Sequence, residues 1–101
     1  MNHYTVTLTA AAQAVATALG LTAAQDLPFR TLMVQADKAN ANDAFIGGAA
    51  VTTSDYGIRL DPGDTAPAIA IGAYDSGPLK LSKVFVIGTA GEKIHLLGIP
   101  F

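Results

Sequence analysis

The sequence contains no cysteine and no tryptophan among its 101 residues. Without cysteine there is no disulfide, no thiolate metal site and no thiol nucleophile. Charge is scarce too: Lys and Arg number 6, Asp and Glu 8, and charged residues make up 14% of the chain. This argues against the cationic face that nucleic-acid binding needs and against a polybasic contact with a membrane. Aromatic residues, at 7%, are thin for a sugar-binding platform. The scarcity of charge is concentrated at the start. From Met1 to Gln25 there is no Asp, Glu, Lys or Arg, and the first charged side chain is Asp26. Such a segment is expected to be covered, for instance by another subunit.

Two simpler explanations of an uncharged N-terminal segment fit less well. A secretory leader needs a cationic start and a continuous apolar run. Met1-Asn2-His3-Tyr4 has neither Lys nor Arg, and Thr and Gln interrupt the residues after Tyr4. A transmembrane helix needs ~18–20 mostly apolar residues, and the stretch from Leu8 to Ala24 is too rich in Thr, Gln and Ala.

The length fits one domain. Its folded surface should be roughly 5,400 Å², against roughly 15,000 Å² unfolded, so one modest core can form without staples. The division expected along the chain is an N-terminal strand plus uncharged segment over 1–28 and a sandwich body over 29–101, both within that one domain. From Phe29 onward, short apolar runs alternate with turn residues. Phe29 to Ala36 alternates around Leu32, Val34 and Ala36, as a half-buried strand does. Lys38 to Asp43 supplies turn residues, and Ala44-Phe45-Ile46-Gly47 reads as a short strand ended by Gly47-Gly48. Thr52 to Asp55 is a polar loop and Tyr56 to Leu60 a strand. In Asp61-Pro62-Gly63-Asp64, Pro62 pre-sets φ and Gly63 accepts the positive φ of a type II turn. Ala68 to Ile71 and Lys83 to Ile87 are further strands, with a turn at Asp75-Ser76-Gly77-Pro78 between them. Lys83 to Ile87 is apolar on both faces and so predicted central. Thr89 to Glu92 reads as a hairpin connection into a last strand, Lys93 to Ile99. Tyr4 to Leu8 adds a strand of good β formers at the start.

Short strands at regular spacing predict a mainly β chain, a single β-sandwich of jelly-roll type. Thr9 to Leu19 stays open. Leu8, Ala11, Ala12, Val15 and Leu19 fit helical spacing with Gly20 as a stop, while Val15, Thr17 and Leu19 alternate as a strand would. The Ala-rich segment is therefore extended or one short helix.

Chemistry-bearing patterns are few. His3 and His95 make no metal site without convergent carboxylates, and His95 points away from the face of Ile94 and Leu96. Gly88 to Lys93 lacks the spacing of a phosphate loop, and Gly47-Gly48-Ala49 lacks the dinucleotide pattern. Asp55, Asp61 and Asp64 do not have EF-hand spacing. Ser54, Ser76 and Ser82 sit in no nucleophile elbow. Tyr4, Tyr56 and Tyr74 suit a role as caps on a β core, with the hydroxyl in water. No catalytic residue, cofactor or metal is expected. Leu8, Val15, Leu19 and Leu21 are candidate interaction residues. So is Phe101, which ends the chain either tucked into its own core or packed on a neighbour.

Four runs carry a resemblance: Gln35-Ala36-Asp37-Lys38-Ala39-Asn40, Phe45-Ile46-Gly47-Gly48, Gly57 to Asp64, and Val86 to Lys93, with Ala12 to Gly20 as a leader. The chain resembles a family of small virion proteins of tailed bacteriophages. The resemblance implies a jelly-roll-like sandwich serving as a head decoration or cement subunit, or in a tail, neck or baseplate. It carries over no catalytic residue. The expected protein is a non-enzymatic homo-oligomer on the capsid exterior, made in the host cytoplasm, with the major capsid protein and itself as partners and neither nucleic acid nor membrane. A carbohydrate-binding or host-adhesion module is the second reading. A small hydrolase built on His95 and an acidic partner is the third.

Overall fold

The computed structural model describes residues 2–26, 29–63, 69–70 and 80–100. These form β1 (Asn2–Thr7), β2 (Gln13–Ala14), a one-turn helix α1 (Val15–Ala18), β3 (Phe29–Ala36), β4 (Ala44–Gly47), β5 (Ile58–Leu60), β6 (Ile69–Ala70), a 3-10 turn (Leu81–Lys83), β7 (Phe85–Ile87) and β8 (Lys93–Pro100). Among them no helix is long and apolar enough to cross a membrane.

The protein is mainly β, with two antiparallel four-stranded sheets. Sheet A runs β1-β8-β3-β6 and sheet B runs β2-β7-β4-β5. The first strand pairs with the eighth, the second with the seventh, the third with the sixth and the fourth with the fifth. Two further pairings, β3 with β8 and β4 with β7, complete the sheets. Because side chains alternate along a strand, each sheet turns one row inward. Sheet A contributes Val6, Leu32, Val34, Ala36, Ile94 and Leu96, and sheet B contributes Ala44, Ile46, Leu60 and Val86, all to one core. The helix α1 packs against the 3-10 turn; the helix adds Val15 and Ala16, and the turn Leu81, to the same cluster.

The alternation expected over Phe29 to Ala36 is found, with Leu32, Val34 and Ala36 buried and Met33 and Gln35 exposed. Ala44 to Gly47 is a strand as expected, and Gly63 takes φ +81° in its turn. The Ala-rich segment divides between its two readings. Gln13 and Ala14 pair with β7, and Val15 to Ala18 then make a single helical turn before Gly20 at φ +70°. A helix this short has no independent stability, so burial of Val15 and Ala16 holds it. Two expectations are corrected. Lys83 belongs to the 3-10 turn, and the strand begins at Phe85. The connection from Thr89 to Glu92 is no hairpin, because β7 lies in sheet B and β8 in sheet A. The turn at 75–78, the acidic residue Asp64, Ser76 and Tyr74 lie outside the described residues.

This sheet-to-sheet connection is tied to the loop after β3. The buried side chain of Asn40 pairs with the peptide of Lys93: its Nδ2 donates to Lys93 O (2.7 Å), and Lys93 N–H donates to its Oδ1 (3.0 Å). Glu92 in turn accepts from the N–H groups of Ala41 (2.6 Å) and Asn42 (3.2 Å). Main-chain groups that strand pairing leaves over at this end thus find side-chain partners.

Candidate functional site

The outward face of sheet A gathers several polar and titratable side chains beside apolar ones. Cross-strand pairing sets two rows on it: His3, Leu97 and Met33 in one, and Thr5, His95 and Gln35 in the next. His3, Leu97, Met33, His95 and Gln35 line a shallow groove of about 260 Å³. The floor is apolar, and Met33 keeps 37% of its surface exposed.

His95 has a partner on each side. Its Nδ1 lies 3.2 Å from Thr5 Oγ1, and its Nε2 lies 3.5 Å from Asp37 Oδ2. Asp37 stands just past β3, where its N–H donates to Lys93 O (3.1 Å) and its Oδ1 accepts from Ala39 N–H (3.1 Å). The Ala39 N–H chiefly holds the Asp37 carboxyl below its ordinary value of 3.8, with His95 and Lys93 adding to the effect against some desolvation. A hydroxyl, an imidazole and a carboxylate in this order match a nucleophile, base and orienting acid. The three stand on an open sheet face with Thr5 exposed and His95 half-exposed, a setting that does not shut water out as acyl-transfer sites do. Thr5 and Asp37 hold the imidazole between them, and Asp37 lines an adjoining cleft with Gln35, Lys38, Gly63 and His95.

Sheet B presents a second surface. The loop from Gly48 to Gly57 folds back on it, so that Val51 is buried over Gly47, where a side chain would come within 3.1 Å of Val51 Cγ2. Thr52 holds the loop by donating its N–H to Asp55 O and accepting at Oγ1 from Ser54 and Asp55. The Tyr56 ring then rests on Phe45, centroids 4.9 Å apart and tilted 49°. It remains 41% exposed, beside a cleft of about 540 Å³ lined by Gly47 to Val51 and Asp55 to Gly57. Tyr4 meets Phe29 edge-on, centroids 6.2 Å apart.

The expected interaction residues are placed differently. Leu8 and Val15 are 1% and 0% exposed and belong to the core; their apolar surface is used within the fold, which corrects their assignment as contact side chains. Leu19 and Leu21 are partly buried and pack against that core. Phe101 lies outside the described residues. Among the described residues no three His, Asp or Glu side chains converge as a metal site would require. Sequence reasoning missed the outward rows of sheet A, although a signal was present. Leu96-Leu97-Gly98-Ile99 is apolar in both phases of the strand, so one phase had to face away from the core.

Compared with known proteins, the chain matches no family model, no curated protein and no solved structure.

Proposed function

We propose that this chain is a structural virion protein, a decoration or cement subunit that binds the assembled head of a tailed bacteriophage and stabilises it. The observation that carries the reading is the strand pairing: first with eighth, second with seventh, third with sixth, fourth with fifth. A long hairpin of strand pairs rolled over itself gives two four-stranded sheets in this order, the jelly roll that recurs in viral capsid domains and lectins. The shared core of the two sheets supports reading them as one sandwich. Fold alone does not assign function; the resemblance of Gln35 to Asn40, Gly57 to Asp64 and Val86 to Lys93 to small phage virion proteins adds the rest.

The mechanism is mass action. A subunit that binds only the assembled shell stabilises that state, by about 2.7 kcal/mol per site at a free concentration 100 times Kd. No catalytic step, cofactor, nucleic acid or membrane enters it; the partners are the major capsid protein and a second copy of the chain, on the head exterior. Thr5, His95 and Asp37 act in this reading as a fixed polar patch rather than as a nucleophilic site. The test is binding of the purified chain to heads that lack it. Saturable cosedimentation with heads, a raised shell melting temperature and no binding to unassembled capsid subunits are expected. Absence of binding to heads together with binding to tails, necks or baseplates supports the tail-structural alternative instead.

The exposed ring of Tyr56 on Phe45, with Asp55 lining the same cleft, favours a second reading as a glycan-binding adhesion module. A glycan array that lights up with the native chain and goes dark with Tyr56→Ala supports it.

A further inference from the structure

The edge strands of the two sheets are protected unequally. A sheet edge offers unpaired N–H and C=O groups to any strand that reaches it, and proteins blunt such edges with short strands, charges, prolines or bulges. Of the four edges among the described residues, β6 has two residues, β2 has two and runs straight into α1, and β5 has three, with Arg59 in the middle. β1 has none of these devices. It is six residues long, pairs with β8 in unbroken register, and contains no proline and no charged residue.

The hydrogen-bond alternation locates the unpaired groups. Leu8 N–H donates to Glu92 O (2.7 Å). In an antiparallel ladder residues alternate between facing the partner and facing away. Val6 and Tyr4 therefore direct their main-chain groups to Ile94 and Leu96, while His3, Thr5 and Thr7 direct theirs outward. The Gln13 side chain closes one end by donating to Thr7 O (3.2 Å). His3 and Thr5 remain, both with exposed side chains, and among the described residues nothing pairs with their outward main-chain groups.

We propose that β1 pairs antiparallel with β1 of a second copy of this chain, joining the two A sheets into one. The occupant is set by what the edge offers. Two outward residues separated by one are self-complementary about a two-fold axis: His3 meets Thr5 of the second copy and Thr5 meets its His3, each exchanging an N–H and a C=O. Tyr4 faces Tyr4 across the axis at a non-hydrogen-bonded position. A two-fold contact is closed and stops at the dimer, and the Gln13 cap at Thr7 blocks sliding in one direction. The lack of charge from Met1 to Gln25 removes like-charge repulsion from bringing identical strands together. The row of His3, Leu97 and Met33 continues across the seam. The pairing deepens the self-association in the proposed role. Its test needs only the purified chain, so failure to dimerise and failure to bind heads are read separately.

Sedimentation velocity across a concentration series is the experiment, with the native chain predicted to dimerise. Thr5→Pro removes the outward N–H without touching the β1–β8 ladder and should raise the dimerisation midpoint about tenfold or more while far-UV circular dichroism stays native. Thr5→Val loses only the hydroxyl and should dimerise as the native chain does. Because the chain has no cysteine, Tyr4→Cys gives an independent reading: opposed Cα atoms at a non-hydrogen-bonded pair lie within disulfide range, so mild oxidation should yield a covalent dimer, whereas Met33→Cys should not. A native chain that stays monomeric throughout, a folded Thr5→Pro that dimerises undiminished, or a Tyr4→Cys that fails to cross-link while native dimer persists would each overturn the proposal.

Discussion

The ring of Phe29 fills the space that a side chain at Gly98 would occupy: a Cβ there would lie 2.5 Å from Phe29 Cε1. Phe29 is fully buried at the start of β3, next to the register shift between Phe29 and Thr31, and Gly98 is the inward-facing residue of β8 beside it. A glycine in mid-strand costs conformational entropy; here it admits the largest side chain of the core. Gly98→Ala should therefore destabilise the protein by about 1–3 kcal/mol through overpacking, and Phe29→Ala by about 3–5 kcal/mol through the cavity it leaves. Denaturant unfolding of both variants checks the pair. The double variant should recover part of the Gly98→Ala loss, since the clash disappears with the ring.

The Asn40 side chain acts as a strand segment toward Lys93, giving one hydrogen bond and taking one. Asn40→Ala removes both bonds and leaves the Lys93 N–H without its partner in a part-buried place, while Lys93 O keeps the Asp37 N–H. At about 0.5–1.5 kcal/mol per bond, the loss should be about 1–3 kcal/mol. Amide hydrogen exchange at Lys93 should accelerate more than exchange in β7.

Asp37 links stability to acid pH. Its folded carboxyl titrates below its ordinary value of 3.8 because Ala39 N–H, His95 and Lys93 favour the anion. A depressed folded value means that the contribution is fully present above the unfolded value and is lost as pH falls through the folded one. The native melting temperature should drop on acidification below about pH 4, and Asp37→Asn should show a smaller drop over that window, with a lower starting value near neutrality. A thermal-melt series against pH measures both. Equal drops in the two proteins would contradict the Asp37 assignment.

Leu8 and Val15 provide the contrast between core and contact surface. Leu8→Ala should cost about 2–5 kcal/mol, as core leucine truncations do, with residual assembly following the folded fraction. Removing residues 1–20 would delete β1, the ladder partner of β8 along most of its length, and so unfold sheet A rather than report on a docking segment. Circular dichroism on the truncated chain should show loss of strand content.

Much of the strand content was legible because it is local. Leu32, Val34 and Ala36 alternate visibly, and Gly63 sits where its turn needs positive φ. The partners of the strands were not legible, because nothing local tells Val86 that it lies beside Ile46 and Gln13, or that the four-residue step from Thr89 to Glu92 changes sheets. The same limit hid the polar patch: Thr5, Asp37 and His95 lie far apart in sequence and meet only through β1, β3 and β8. The uncharged first 25 residues were readable as a segment that must be covered. That the molecule itself covers Leu8 and Val15 emerges only from the packing of β1 and α1.

The decisive measurement for a head-bound decoration role is imaging of native particles at a resolution that traces this chain. Two-sheet density fitting β1 to β8 is predicted on the outer surface of the head, with the sheet A edges of neighbouring copies in contact along β1. Purified particles whose heads carry no such density would contradict that role.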